Sequence, residues 1–140
     1  MITYVKGDLL KANADIICHQ VNLQGIMGGG LAYSIARKYP NVDEVYRNYK
    51  PKKLGEVCFA ETDDFVVANC FSQTEDFCTD YDALERCLYK VKFYAVSCGY
   101  TTIAIPYRYG CGIANGNWTR VLRVFEEVFK GIKLLIYVKE

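Results

Sequence analysis

The stretch Ala14-Asp15-Ile16-Ile17-Cys18-His19-Gln20-Val21-Asn22-Leu23-Gln24-Gly25-Ile26-Met27-Gly28-Gly29-Gly30-Leu31 decides the fold. Its first eight residues form a largely apolar run of strand length, which suits a strand buried on both faces of a sheet. The run stops at Asn22. Beyond the three glycines, Leu31, Ile35 and Tyr39 recur near helical spacing until Pro40 ends them. Strand, glycine loop and helix follow one another. Three glycines just before a helix remove three Cβ atoms where backbone N–H groups lack helical acceptors, so an anion can approach the chain closely. Such glycines also close tight turns, and alone they do not separate the two uses.

Toward the amino terminus, residues 2–5 alternate as a strand, and Gly7-Asp8 breaks the pattern before Leu9-Leu10. In the other direction, Asn41-Val42-Asp43 can start a second helix with Val42, Val45, Tyr46 and Tyr49 as its apolar stripe. Gly55–Ala60 and Phe65–Cys70 read as two strands joined through Thr62-Asp63-Asp64, a hairpin. Thr79-Asp80 precedes a long helix with Leu84, Cys87, Leu88, Val91, Ala95 and Cys98 on one face, closed by Gly99. Thr101–Pro106 is again a strand, and a second glycine loop, Tyr109 to Gly116, leads to Asn117 as cap of a last helix. Trp118, Val121, Leu122, Phe125 and Val128 form the buried stripe of that helix, and Lys133–Val138 is a final strand. Strands alternating with helices, with one hairpin among them, predict a three-layer α/β/α sandwich with a mixed central sheet. Ligands of such sheets sit at the carboxyl ends of the strands. No repeat or linker interrupts the chain, and residues 1–140 are expected to form one domain.

Lys and Arg number 17 against 16 Asp and Glu, so no global positive field draws the chain to nucleic-acid phosphates. No run approaches the roughly 18 apolar residues that span a membrane, and the amino-terminal residues lack a secretory pattern. Seven cysteines, an odd number, are best explained as buried reduced thiols, which favours the cytoplasm. No C-x-x-C pair occurs and His19 is the only histidine, so no metal site is expected. Neither a P-loop nor a G-x-G-x-x-G fingerprint is present, against a nucleoside triphosphatase or a standard dinucleotide dehydrogenase. Two glycine loops at equivalent strand ends point instead to a small ligand carrying a diphosphate.

Gly7-Asp8-Leu9-Leu10, the Asn22–Gly30 segment and Gly110-Cys111-Gly112-Ile113-Ala114 together resemble the successive signatures of macrodomains, over nearly the whole chain. The branch resembled includes ADP-ribose-1″-phosphate phosphatases and terminal ADP-ribose glycohydrolases. The resemblance implies ADP-ribose or a derivative as ligand, no cofactor, a monomer, and nucleic acid as partner only when ADP-ribosylated. It gives Asp8 the adenine amino group, with the Leu9 backbone beside it, although Gly-Asp after a strand is also an ordinary turn or cap. Tyr137 would stack on adenine, or is an ordinary strand tyrosine. Asn22 would bond the distal ribose, or cap the glycine turn. Gly28, Gly29 and Gly30 would face the distal ribose and phosphates. Gly110, Cys111, Gly112, Ile113 and Ala114 would wrap the diphosphate, with Cys111 a packing residue rather than a nucleophile.

The resemblance also locates two departures. Where glycohydrolase members carry a lysine, this chain has Ser72 or Gln73, and where they carry an aspartate it has Ala114. Neither serine nor glutamine can form the adduct that an amine forms with an opened ribose. The phosphatase comparison keeps a histidine at His19, a candidate general base that is equally readable as a buried strand residue, and makes Asn22 the second catalytic candidate. Asp76 and Asp80 are lesser acid/base candidates, Asp80 also an N-cap. The resemblance thus implies hydrolysis of a terminal group, ADP-ribose-1″-phosphate ahead of ADP-ribosylated macromolecules, and a reader or sensor that binds ADP-ribose without hydrolysis is the alternative.

Overall fold

A computed structural model describes residues 1–112 and 114–139. Six strands form one sheet: β1 (Ile2–Lys6), β2 (Ile16–Val21), β3 (Val57–Glu61), β4 (Val66–Phe71), β5 (Thr102–Pro106) and β6 (Lys133–Val138). Four helices accompany them: α1 (Gly30–Lys38), α2 (Pro40–Asn48), α3 (Tyr81–Cys98) and α4 (Trp118–Val128). A 3₁₀ turn spans Leu9–Lys11. The strand order is β1-β6-β5-β2-β4-β3. Only the β3–β4 hairpin is antiparallel, so the sheet is mixed as the sequence implies.

Because side chains alternate across a strand, each central strand feeds two cores. Ile16 and Cys18 of β2, with Ala68 and Cys70 of β4, pack under Leu84, Leu88 and Val91 of α3 and Val121 and Phe125 of α4. Ile17 and Val21, with Val67 and Phe71, meet Leu9 and Leu10 and the Ile35, Val42 and Tyr46 side chains of α1 and α2 on the other face. Helices of nine residues such as α1 and α2 are too short to persist alone. Docking holds them, since each fully buried Ile or Val contributes about 2 kcal/mol.

Two side-chain caps fall where the sequence places them: Asp80 accepts from the Ala83 N–H at 2.9 Å, and Asn117 from Arg120 N–H at 3.1 Å. Gly99 closes α3 in the left-handed region at φ 72°. Three details depart from expectation. Pro40 not only ends α1 but is the first residue of α2, where its missing N–H costs nothing. Val45 is 39% exposed, because a helix this short buries only the Val42–Tyr46 line. Two of the seven thiols are exposed rather than buried: Cys98, since α3 outruns the core after Ala95, and Cys78, on the polar segment between β4 and α3.

Candidate functional site

β2 pairs with β4 through six residues but with β5 only through Ile16–Ile103 and Ile17–Ala104. The Asp15 carboxylate fastens the amino ends of β2 and β5 by accepting from the N–H groups of Thr101 and Thr102, at 2.9 and 3.1 Å. Past Ala104 the two strands are no longer paired, and a cleft of about 610 Å³ opens at their carboxyl ends. Both glycine loops line it: Gly28, Gly29 and Gly30 on one side, Gly110, Gly112 and Ala114 on the other.

The first loop is shaped by Asn22. Its Nδ2 donates to the Ile26 carbonyl at 2.9 Å, while Oδ1 accepts from Gln24 N–H at 3.1 Å and lies 2.6 Å from the Tyr46 hydroxyl. That hydroxyl is also 2.7 Å from the Asn22 carbonyl and accepts from Gly25 N–H at 3.2 Å. Burial pushes the Tyr46 phenol up to about 12, so it remains a donor at neutral pH. Helix α1 has no side-chain cap, and the amides of Gly28 and Gly29 have no acceptor among the described residues. The positive end of the helix therefore faces the cleft.

On the opposite wall, Gly110 adopts φ 70°, and a Cβ there would stand 2.7 Å from Thr79 Oγ1. Only glycine suits both the backbone and the contact. Arg108 and Phe77 also line the cleft, each in the left-handed region, at φ 62° and 61°. Side chains with a Cβ pay about 1–3 kcal/mol for such a conformation, so the surroundings hold both in place. Arg108 is the single charged lining residue among those described. Cys111 is buried, its Sγ directed to the Tyr109 carbonyl at 3.4 Å, and burial pushes its thiol up. It does not line the cleft, whereas its neighbours Gly110 and Gly112 do. Ile113 lies outside the described residues.

His19 contributes to the cleft wall but is only 1% exposed. Its Nε2 is 2.6 Å from Asn69 Oδ1, and Asn69 Nδ2 donates to the Cys58 carbonyl at 2.9 Å. Since that carbonyl can only accept, Asn69 presents its oxygen to the imidazole, which must carry its proton on Nε2. Burial lowers the His19 pKa to about 4, against a smaller opposing effect of the Asn69 bond. The ring is neutral at physiological pH.

Of the two positions matched to the lysine, Gln73 lines the cleft, while Ser72 is fully buried with its hydroxyl 2.8 Å from that of Tyr109. Asp80 is the α3 cap and Asp76 is exposed outside the cleft lining. Asp8, Leu9 and Tyr137 also lie outside that lining, at the carboxyl ends of β1 and β6 farther along the same edge. Asp8 caps the 3₁₀ turn, with Oδ1 accepting from Leu10 N–H at 2.9 Å. Tyr137 is tied to the cleft through its carbonyl, which accepts from the N–H of the lining residue Tyr107 at 2.9 Å.

Gln20, Arg108 and Phe77 received no role from sequence, and Tyr46 only that of a core residue of the second helix. Gln20 had one visible signal, a long polar side chain inside an otherwise apolar strand. Among the described residues, no group of three His, Cys, Asp or Glu is placed to hold a metal, and no helix is long and apolar enough to cross a membrane.

A mixed sheet between two helical layers, with paired glycine loops at the ends of its central strands, is the architecture of the Macro domain. A model of that family matches residues 18–125, and the chain belongs to it. ADP-ribose glycohydrolase OARD1 of Homo sapiens is 31% identical over 140 residues, covering 97% of this chain and 90% of that protein. An ADP-ribose 1″-phosphate phosphatase of Candida glabrata is 39% identical over 77 residues, 49% of this chain and 43% of its own length. Among solved structures, a macrodomain protein from Streptomyces coelicolor superposes with a TM-score of 0.84 at 26% identity, covering 98% of each chain.

Proposed function

We propose that the chain binds ADP-ribose or a derivative along this sheet edge and hydrolyses its terminal group, with ADP-ribose-1″-phosphate ahead of ADP-ribosylated macromolecules. The observation that carries the reading is one cleft flanked by two amide-bearing glycine loops, with Arg108 as its charged lining residue. A diphosphate between Gly28–Gly30 and Gly110–Ala114 meets positive potential from both sides. The relatives named for ADP-ribose chemistry supply the rest of the ligand.

From β2 to β1 the edge extends over three strand spacings, roughly 14 Å at about 4.8 Å each. That length suits an extended ligand with adenine between Asp8 and Tyr137, beside the Leu9 backbone, and the distal ribose at Asn22. Asp8 has Oδ2 left for the adenine amino group, and Asn22 has one Nδ2 hydrogen left for a ribose hydroxyl. Gly110, Gly112 and Ala114 form the second loop's wall of the cleft, whereas the Cys111 N–H is taken by the Arg108 carbonyl at 2.9 Å. All these residues come from one chain, so the site works in a monomer, and the free thiols fit a reducing compartment such as the cytoplasm.

The chemistry cannot use an amine or carboxylate at Gln73 or Ala114. His19, with a pKa of about 4, gives little driving force for taking a proton from water. Its part in the proposal is therefore small, and an unchanged rate in His19→Ala would remove it. The second reading, a non-hydrolysing ADP-ribose reader, is favoured by that same weak base. Incubating the protein with ADP-ribose-1″-phosphate and measuring inorganic phosphate separates the two. Release above the uncatalysed rate supports hydrolysis, and no release with intact ADP-ribose binding supports the reader.

A further inference from the structure

At the base of the cleft, between the central strands, lies a polar cluster that the ligand reading above leaves unused. Gln20 projects from β2 where β2 and β5 have parted. Its Nε2 is 3.2 Å from the Ser72 carbonyl, 3.1 Å from Ser72 Oγ and 3.2 Å from Thr79 Oγ1. A carbonyl oxygen only accepts, so the nitrogen of the Gln20 amide must face Ser72, and chemistry fixes its orientation. Gln20 Oε1 is thereby turned toward Gln73, whose Nε2 donates to it at 3.4 Å. The polarity then passes to Gln73: with its nitrogen held by Gln20, its own Oε1 is the acceptor it can offer in the cleft it lines.

The cluster is tied to the second glycine loop. Thr79 Oγ1 donates to the Gly110 carbonyl at 2.6 Å while accepting from Gln20, and Thr79 N–H donates to the Ala114 carbonyl at 3.1 Å. A Cβ on Gly110 would come within 3.1 Å of Gln20 Nε2. The two glutamines and the diphosphate loop thus share one hydrogen-bonded frame, which fixes the glutamine carbonyl relative to a bound phosphate.

We infer that Gln73 is a catalytic residue that orients the attacking water through its Oε1, and that Gln20 is a positioning residue that holds Gln73 in that orientation. The inference rests on the hydrolase reading above. An amide accepts a hydrogen bond from water and aims the water's lone pair, but it cannot take up the proton. The step balances without a side-chain base. The water oxygen bonds to phosphorus, and the bond from phosphorus to the ribose oxygen breaks with its electron pair going to that oxygen. The ribose oxygen takes the proton carried by the phosphate monoanion, and the water's two protons stay with the product as dihydrogen phosphate.

A site built this way selects substrates that bring their own proton, which a phosphate monoester does and a glycosidic bond does not. The titratable groups lining the cleft are His19, Tyr107, Arg108 and Tyr109, while Glu75 and Asp76 are exposed on the loop that carries Gln73. His19 is neutral above about pH 4, and burial raises the Tyr109 phenol well above its ordinary value. The rate should therefore fall as pH rises through the second ionisation of the phosphate, near 6.

The test is steady-state phosphate release from ADP-ribose-1″-phosphate by wild type, Gln73→Ala, Gln20→Ala and the double variant, with ADP-ribose affinity measured alongside. Gln73→Ala is expected to lower kcat by about 100-fold with KM and ADP-ribose affinity within about twofold. Gln20→Ala is expected to lower kcat less, and to have no further effect once Gln73 is Ala. Wild-type kcat in Gln73→Ala, parallel losses of kcat and affinity, or a Gln20→Ala effect that persists without Gln73 would overturn the assignment while leaving the hydrolase reading intact. A wild-type protein that binds ADP-ribose but releases no phosphate would overturn both.

Discussion

His19 shows what burial does to a titratable side chain. Its folded pKa of about 4 lies below the ordinary 6.5, so between those values the unfolded chain binds more protons than the folded one. Stability from this group is complete above pH 6.5 and is lost as pH falls toward 4, by about 3 kcal/mol. His19→Gln keeps a donor for Asn69 without the titration, so its unfolding free energy should drop less than that of wild type across that window; equal drops in denaturant melts would contradict the pKa. Gly29 permits a clean test of the first loop. Its φ of −155° is extended and no atom lies within 4 Å of an added Cβ, so Gly29→Glu should fold normally. A carboxylate there repels the diphosphate and should weaken ADP-ribose binding more than tenfold, whereas wild-type affinity would refute the loop's role. The glycines were legible because a run of three has few uses. Arg108 was not, Gln73 was legible only as the place of an absent lysine and Gln20 only as a polar residue in an apolar strand, because their contacts arise from a strand and loops that converge only in three dimensions.

At the scale of elements, the glycine loop depends on α2 as much as on β2. The Tyr46 hydroxyl bridges the Asn22 carbonyl, the Asn22 side chain and Gly25 N–H, joining a helix to a loop that glycine alone would leave loose. Tyr46→Phe leaves these groups short of a partner and should cost about 1–3 kcal/mol in urea unfolding, with weaker ADP-ribose binding. An unchanged midpoint would show that the bridge is dispensable. The sequence made Tyr46 part of an apolar stripe, which is correct for its ring and silent about its hydroxyl. Helical periodicity located the four helices, because each buries one stripe, whereas β2 and β4 were legible as continuous apolar runs, because both of their faces are buried. The helical pattern failed at Val45 and Cys98, where a short or overrunning helix has less core to cover than its apolar pattern suggests.

For the whole molecule, the α/β/α layering followed from alternating strand and helix patterns, and the hairpin from the short polar turn at Thr62-Asp63-Asp64. The order β1-β6-β5-β2-β4-β3 could not be read in the same way, since it depends on which connections cross the sheet. That order creates the site: β2 and β5 are neighbours that pair only at their amino ends, so the sheet opens where both glycine loops arrive. With a net charge of +1, the chain has little long-range attraction for an anion, and affinity must come from local amides and Arg108. Isothermal titration with ADP-ribose tests this most directly. The expected result is saturable binding at one site per chain, lost in Gly29→Glu; no binding to wild type at millimolar ligand would contradict it.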